Sequence, residues 1–366
     1  MRKCLYTPSG FKSRYGLLGT FVDEIARAAQ RHGWTINPLD VEDSDHRTVL
    51  VTNNVPDLND LLAKVGNARI VNLFVDHPLT ARFDHLKILQ GQEHYHLITV
   101  TPDDLHMLNL RFPALQCRTV MHGVDRDIVM SAEDVADSYT NGQRDIDVLY
   151  CGSIASEAEL AKYREVVPAQ IRPFLDDMVQ MRLACPSMSL GQVWDACVPF
   201  VGRCSDYWSL MCLAFLYVNA AVGRETRLAT VKALAGQHVT VVGTSEWEKH
   251  CTGTIKTAGE ISYAGLHRVM RRAKVCLCNN PPQFVMGISE RILMAMASGC
   301  AVVCDERLEI DRLFHDEVVR FLDPKHAALV VERLQHGGEA AAMGIAGAGV
   351  IAKGHTWDHR IPALLG

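Results

Sequence analysis

The stretch MGISERILMAMASGCAVVCDE, residues 286–306, places a glycine loop, a helix and a strand in succession. Gly287 lies in the loop, Glu290 and Arg291 fall in the first predicted helical turn, and Gly299 ends the helix ahead of the apolar run. The unpaired N–H groups and macrodipole of a helix N-terminus attract anions, and Arg291 adds a cation with a fixed fork of donors. Glu290 beside it is suited to accept both hydroxyls of a ribose. The bland alternative is a Glu that only complements the helix dipole.

Working outward, short apolar runs alternate with helical patterns. KCLYTP near the start, RTVLVT (47–52), ARIVNLFV (68–75), HLITVT (96–101) and IDVLYCG (146–152) read as strands, as do HVTVVG (238–243), AKVCLCNN (273–280), AVVCDE (301–306) and VVRFLD (318–323). Leu17, Phe21, Ile25 and Ala28 recur at helical spacing, and Gly33 stops that helix. The rhythm predicts parallel βαβ units, hence an α/β chain of two doubly wound, Rossmann-like domains. A polar stretch at 125–145 with a turn-like Asn141-Gly142 marks the boundary. The expected domains are 1–125 and 140–345, with a strandless helical subregion at 155–235 and a C-terminal helix in 346–366. Open α/β sheets bind ligands beyond the carboxyl ends of their strands, so two of them suggest a cleft lined by those ends.

Composition narrows the function. A chain of 366 residues, 48% hydrophobic and 22% charged, is long enough for two cores. Its 37 basic and 42 acidic residues give a net charge of −5, which argues against broad attraction to nucleic acid. Twelve scattered cysteines without a CxxC read as buried thiols in a reducing cytoplasm. No apolar run approaches the roughly 18 residues of a membrane span, and no secretory h-region follows the start.

No P-loop, HExxH or GxSxG pattern is present. Asp145-Ile-Asp147 is a DxD, yet it precedes its strand, at the wrong end for holding a metal on a sugar nucleotide. GSIASE (152–157) follows the strand IDVLYC, where the small residues Gly152 and Ser153 let backbone N–H groups approach a phosphate.

Taken in order, VNLFVDHP (71–78), FPALQCRTVMHGVD (112–125), RDIDVLYCGS (144–153), VTVVGTSEWEK (239–249), GEISYAGLHRVMRRAKVCLC (259–278) and GISERILMAMASGCAVVCD (287–305) resemble the CgeB-type glycosyltransferases of GT-B architecture. The resemblance covers roughly residues 70–360 apart from the helical subregion. It implies an enzyme that takes a nucleoside-diphosphate sugar, a UDP-sugar favoured, on its second domain. The acceptor, a protein, a glycan or a small molecule, is presented by the first. No metal or other cofactor is obligatory, because cationic side chains and helix dipoles neutralise the leaving diphosphate.

The implied roles follow residue by residue. Arg291 meets the diphosphate with Gly152 and Ser153, Glu290 meets the ribose, Gly287 shapes the loop, and Tyr263 belongs to a base-binding wall at 261–263. His77 and Asp76 follow a first-domain strand, with His77 ranked first as general base and His122 as a second substrate contact. An inverting reaction needs that base; a retaining one can use the donor phosphate. Many retaining GT-B enzymes carry a further Glu where this chain has Met294 or Ala295, so either Glu290 replaces its ribose contact or the donor binds differently. A nucleotide-sugar epimerase and a noncatalytic nucleotide- or glycan-binding scaffold remain alternatives, and a homo-oligomer is left open.

Overall fold

The computed structural model describes residues 3–7, 13–39, 47–53, 65–77, 86, 88–199, 207–336 and 338–366. Pro78, expected from the sequence to stiffen the Asp76-His77 loop, lies outside them. The chain forms two compact units. One is Met1–Val129 with Ser262–Leu266 and Val350–Gly366, the other Met130–Ile261 with His267–Gly349.

The first unit contains β1 (Cys4–Thr7), α1 (Leu17–Arg31), β2 (Thr35–Pro38), β3 (Arg47–Thr52), β4 (Arg69–Phe74), β5 (Tyr95–Thr99), α2 (Pro102–Arg111) and β6 (Gln116–Thr119). The strands form one parallel sheet in the order β2-β1-β3-β4-β5-β6. Phe21, Ile25 and Ala28 of α1 are fully buried, as their spacing requires, and Gly33 turns the chain out of the helix at a φ of 80°.

The second unit runs through α3 (Ala132–Thr140), β7 (Ile146–Cys151), α4 (Glu157–Val166), α5 (Leu175–Ala184), α6 (Leu190–Cys197), α7 (Tyr207–Ala233), β8 (Val239–Val242) and β9 (Ile255–Gly259). There follow α8 (Tyr263–Met270), β10 (Ala273–Cys278), α9 (Glu290–Ala297), β11 (Ala301–Asp305), α10 (Leu308–Leu313), β12 (Val318–Phe321), α11 (Pro324–His336), α12 (Glu339–Gly354) and α13 (Trp357–Leu365), but Tyr263–Leu266 of α8, Val350–Gly354 of α12 and all of α13 cluster with the first unit, not the second. Its parallel sheet has the order β12-β11-β10-β7-β8-β9. The chain thus leaves β7 towards one edge and returns to build the other from β10. That reversal point is where open α/β sheets hold ligands.

Three strands escaped the sequence reading: β2, β6 and β9. All are edge strands with little continuous burial, so none carries the unbroken apolar run that marks a strand covered on both faces. The 155–235 region is helical among its described residues, and β7 and β8 flanking it pair directly. The cysteines are less uniformly buried than expected: Cys185 is exposed and five others are only partly covered.

In the first unit, the segment 355–357 runs beside Val124, which donates to the His355 carbonyl and accepts from the Trp357 N–H. Arg27 pairs with Asp125 and Arg31 with Asp358. The Trp357 indole donates to Glu24 at 2.9 Å, and burial raises the Glu24 carboxyl to about 7, only partly opposed by that hydrogen bond. A carboxyl whose folded pKa lies above its unfolded one stabilises the fold most in acid and loses that contribution as pH rises through the folded value. Glu24→Gln keeps an acceptor for Trp357 without the charge. Its melting temperature should exceed that of the wild type at pH 8 by a margin worth on the order of 3 kcal/mol, and the margin should vanish near pH 4.

In the second unit Gly299 has a φ of 71°, and a Cβ there would lie 2.5 Å from a Val135 methyl and 2.7 Å from the Arg144 guanidinium. Gly299→Ala should therefore destabilise this unit by about 2–4 kcal/mol, read as a lower urea midpoint for its unfolding transition.

Candidate functional site

The carboxyl end of β7 opens into the loop Gly152-Ser153-Ile154-Ala155, capped by α4 through a Ser156–Glu159 capping box. Every carbonyl from Cys151 to Ala155 accepts a side-chain hydrogen bond. Arg291 Nη1 donates to Cys151 O at 2.6 Å and Trp247 Nε1 to Gly152 O at 2.6 Å. Arg227 donates to Ser153 O, Thr244 to Ile154 O at 2.9 Å, and Arg224 to Ala155 O at 2.6 Å. Trp247 is fully buried, its ring edge-on to Tyr150 at 5.6 Å; it packs beneath the loop.

Arg291 is the second residue of α9. Ser289 caps that helix by accepting from Arg291 N, and its hydroxyl also receives Arg291 Nε at 3.1 Å. Glu290 lies 3.7 Å from the same guanidinium and accepts from Ser289 Oγ at 3.0 Å. Burial works against the Arg291 charge, but Glu290 and its other neighbours outweigh it and hold the pKa above the usual arginine value. With Nε and Nη1 committed, Nη2 has no partner among the described residues.

A chain of polar contacts fixes the helix start. Arg307 pairs with Asp305 at 2.7 Å, Asp305 accepts from Asn280 N and Nδ2, and Asn280 Oδ1 accepts from Ser289 N at 2.8 Å. Of the residues expected here, Gly152, Ser153, Glu290 and Arg291 are brought together, and Gly287 is buried two residues before the cap. A Cβ on Gly152 would lie 3.3 Å from Arg291 Nη1, which is how closely the guanidinium abuts the loop. Sequence reading missed Arg227, Arg224 and Asn280. Arg224 and Arg227 sit at the end of an apolar helix, where charges read as a solvated face. The Asn-Asn pair after β10 was the one available signal for Asn280.

Tyr263 clusters with the first unit, where it is 4% exposed and edge-on to Phe21 at 5.1 Å. His122 is 1% exposed and packs against the same Phe21 at 5.6 Å. Asp76 and His77 follow β4. Asn53, just after β3 with a φ of 48°, accepts from Val75 N at 2.7 Å and Asp76 N at 3.3 Å and donates to Asp76 Oδ2 at 2.6 Å. The carboxylate is thus aimed by a side chain the sequence reading passed over, and His77 beside it is buried. The DxD carboxylates are in ion pairs, Asp145 with Arg272 and Asp147 with Lys274. Among the described residues no group of three or more metal-binding side chains converges.

Residues 224–366 match a family model described as Glycosyl transferase-like. No curated protein matches the chain. Among solved structures, sucrose-phosphate synthase from Thermosynechococcus elongatus is similar over 99% of this chain and 96% of its own, with 12% identity and a TM-score of 0.54. Anabaena HepE in complex with UDP and glucose is similar over 99% and 98%, with 11% identity and a TM-score of 0.53. The DNA modifying enzyme beta-glucosyltransferase, described with uridine diphosphoglucose, is similar over 99% of each chain, with 11% identity and a TM-score of 0.52. The chain therefore has the GT-B fold, two parallel six-stranded sheets with their helices, and its C-terminal part is glycosyl transferase-like.

Proposed function

We propose that the chain transfers a sugar from a nucleoside diphosphate to an acceptor, with the CgeB-type glycosyltransferases as its nearest functional class. The observation that carries this reading is the uncommitted Nη2 edge of Arg291 at the N-terminus of α9, against the loop that ends β7. A helix N-terminus and a guanidinium together favour a doubly charged diphosphate, and neither calls for a metal. Glu290 is the ribose acceptor, and Gly152 and Ser153 form the wall the phosphates approach. A UDP-sugar is the favoured donor, in keeping with the UDP and uridine diphosphoglucose named for HepE and the beta-glucosyltransferase.

In transfer, the bond from the anomeric carbon to the donor phosphate breaks, and an acceptor oxygen takes its place. Arg291 and the α9 dipole stabilise the negative charge that grows on the departing diphosphate. If the anomeric centre inverts, His77 removes the acceptor proton, with Asp76 held in place by Asn53. The acceptor is a protein, glycan or small molecule met by the first unit, and the setting is the cytoplasm. No described helix is long and apolar enough to cross a membrane.

Calorimetry with UDP, GDP, ADP, TDP and CMP, with and without EDTA, tests this reading. One nucleoside diphosphate should bind irrespective of EDTA, and Arg291→Gln should weaken it at least tenfold, about 1.4 kcal/mol. His77→Ala should leave that Kd unchanged while lowering transfer by about a hundredfold or more. Silence across the panel, or an unchanged Kd in Arg291→Gln, would overturn the donor site; binding without turnover on any acceptor would favour a scaffold.

A further inference from the structure

The helical insertion carries a cation that no role assigned above employs. Arg227 lies on α7 in a row with Gly223 and Asn219, spaced four residues apart and so on one helical face. That row faces the β10–α9 loop: Asn219 Nδ2 donates to Gln283 at 3.3 Å, and a Cβ on Gly223 would lie 3.5 Å from Pro282. One turn before Arg227, Arg224 is pinned by the Ala155 carbonyl, Glu246 and Glu157, which fixes the height of α7 against the β7–α4 loop.

Arg227 is held differently. Its Nη1 donates to the Ser153 carbonyl, its Nε is buried without a partner among the described residues, and no described carboxylate forms an ion pair with it. Burial, and then the like charge of Arg291, depress its pKa, against opposing pulls from Tyr150, Asp305 and Glu290. An unpartnered buried N–H and two guanidiniums within reach of each other's field are unfavourable on their own. Arg291 grips the carbonyl before Gly152 and Arg227 the next but one, so the two cations bracket that glycine. Each uses Nη1 to hold its place and has Nη2 uncommitted to any described residue.

We infer that Arg227 and Arg291 act as a pair on one diphosphate, so that the helical insertion supplies part of the donor site rather than only flanking it. This rests on the donor reading above and adds a second phosphate-binding residue from a different element. A diphosphate spreads its charge over two phosphoryl groups, and two planar forks on either side of Gly152 match that distribution better than one. The ligand also relieves the repulsion between the two cations, which gives it a further preference for the paired geometry.

The test uses inorganic pyrophosphate and the nucleoside diphosphates as calorimetric probes on the full chain. Wild type should bind pyrophosphate, Arg227→Gln should raise its Kd at least tenfold, and Arg227→Lys, which keeps the charge without the fork, should fall between them. Glu225→Gln, on the exposed side of α7, should stay within twofold of wild type. An unchanged Kd in Arg227→Gln, with Arg291→Gln weakened, overturns the pairing and leaves the donor reading standing. Failure of wild type to bind pyrophosphate or any nucleoside diphosphate overturns both. Should the Gln variant not fold, the Lys variant decides: a loss of threefold or more is expected, and no change overturns the pairing.

Discussion

The geometry of the second unit hangs on the five inward-turned carbonyls that follow β7. Each is held by a different side chain, Arg291, Trp247, Arg227, Thr244 and Arg224 in order from Cys151 to Ala155. These donors come from α9, α7 and the segment after β8, elements far apart in sequence that meet only because the sheet order sets β7 between β10 and β8. A loop held at every residue has little conformational entropy left to lose. The neighbouring strand shares in this. A Cβ on Gly243 would strike the Gly152 carbonyl and the Trp247 indole, so the direction of that carbonyl depends on a glycine at the end of β8.

From this loop the constraint passes to the helix that faces it. Arg291 ties Cys151 to α9, Ser289 caps α9, Asn280 holds Ser289, and Asp305 with Arg307 holds Asn280. The path crosses the carboxyl ends of β7, β10 and β11 in their spatial order, so the start of α9 cannot shift without disturbing three strands. Such a network costs desolvation and returns it only when every member is satisfied. Here the links are complete apart from the outer guanidinium edges.

Much of this was legible in the sequence, for identifiable reasons. Strands covered on both faces, such as β4, β10 and β11, announce themselves as unbroken apolar runs, and α1 and α9 announce themselves by helical spacing and a terminal glycine. The edge strands β2, β6 and β9 do not, because one side of each is open and polar residues are tolerated. At the site, Glu290 and Arg291 were readable because a helix start and its charges are local. Arg227 was not, because nothing in the order of residues says that a helix inserted between β7 and β8 returns its last turns to the end of β7. Asn53 was hidden likewise, since its role is to aim a residue on the adjacent strand, Asp76.

The kind of partner an arginine has also separates cations that the fold neutralises from those it leaves charged. Arg27 and Arg31 in the first unit pair with Asp125 and Asp358, and Arg224 pairs with Glu246 and Glu157; carboxylates both place and neutralise them. Arg144 is placed by the carbonyls of Ala273 and Ser298 and by the Ser138 hydroxyl, with its plane over Tyr139, and it is buried. Arg227 and Arg291 combine the two useful properties. Carbonyl oxygens hold them without cancelling their charge, and Glu290 at 3.7 Å offsets one of them only in part. A cation held mainly by neutral dipoles keeps most of its attraction for an anion, and a second cation beside it adds to the field. The cost of keeping it unneutralised is carried by the folded state, in the way functional sites store strain that the surrounding structure must offset.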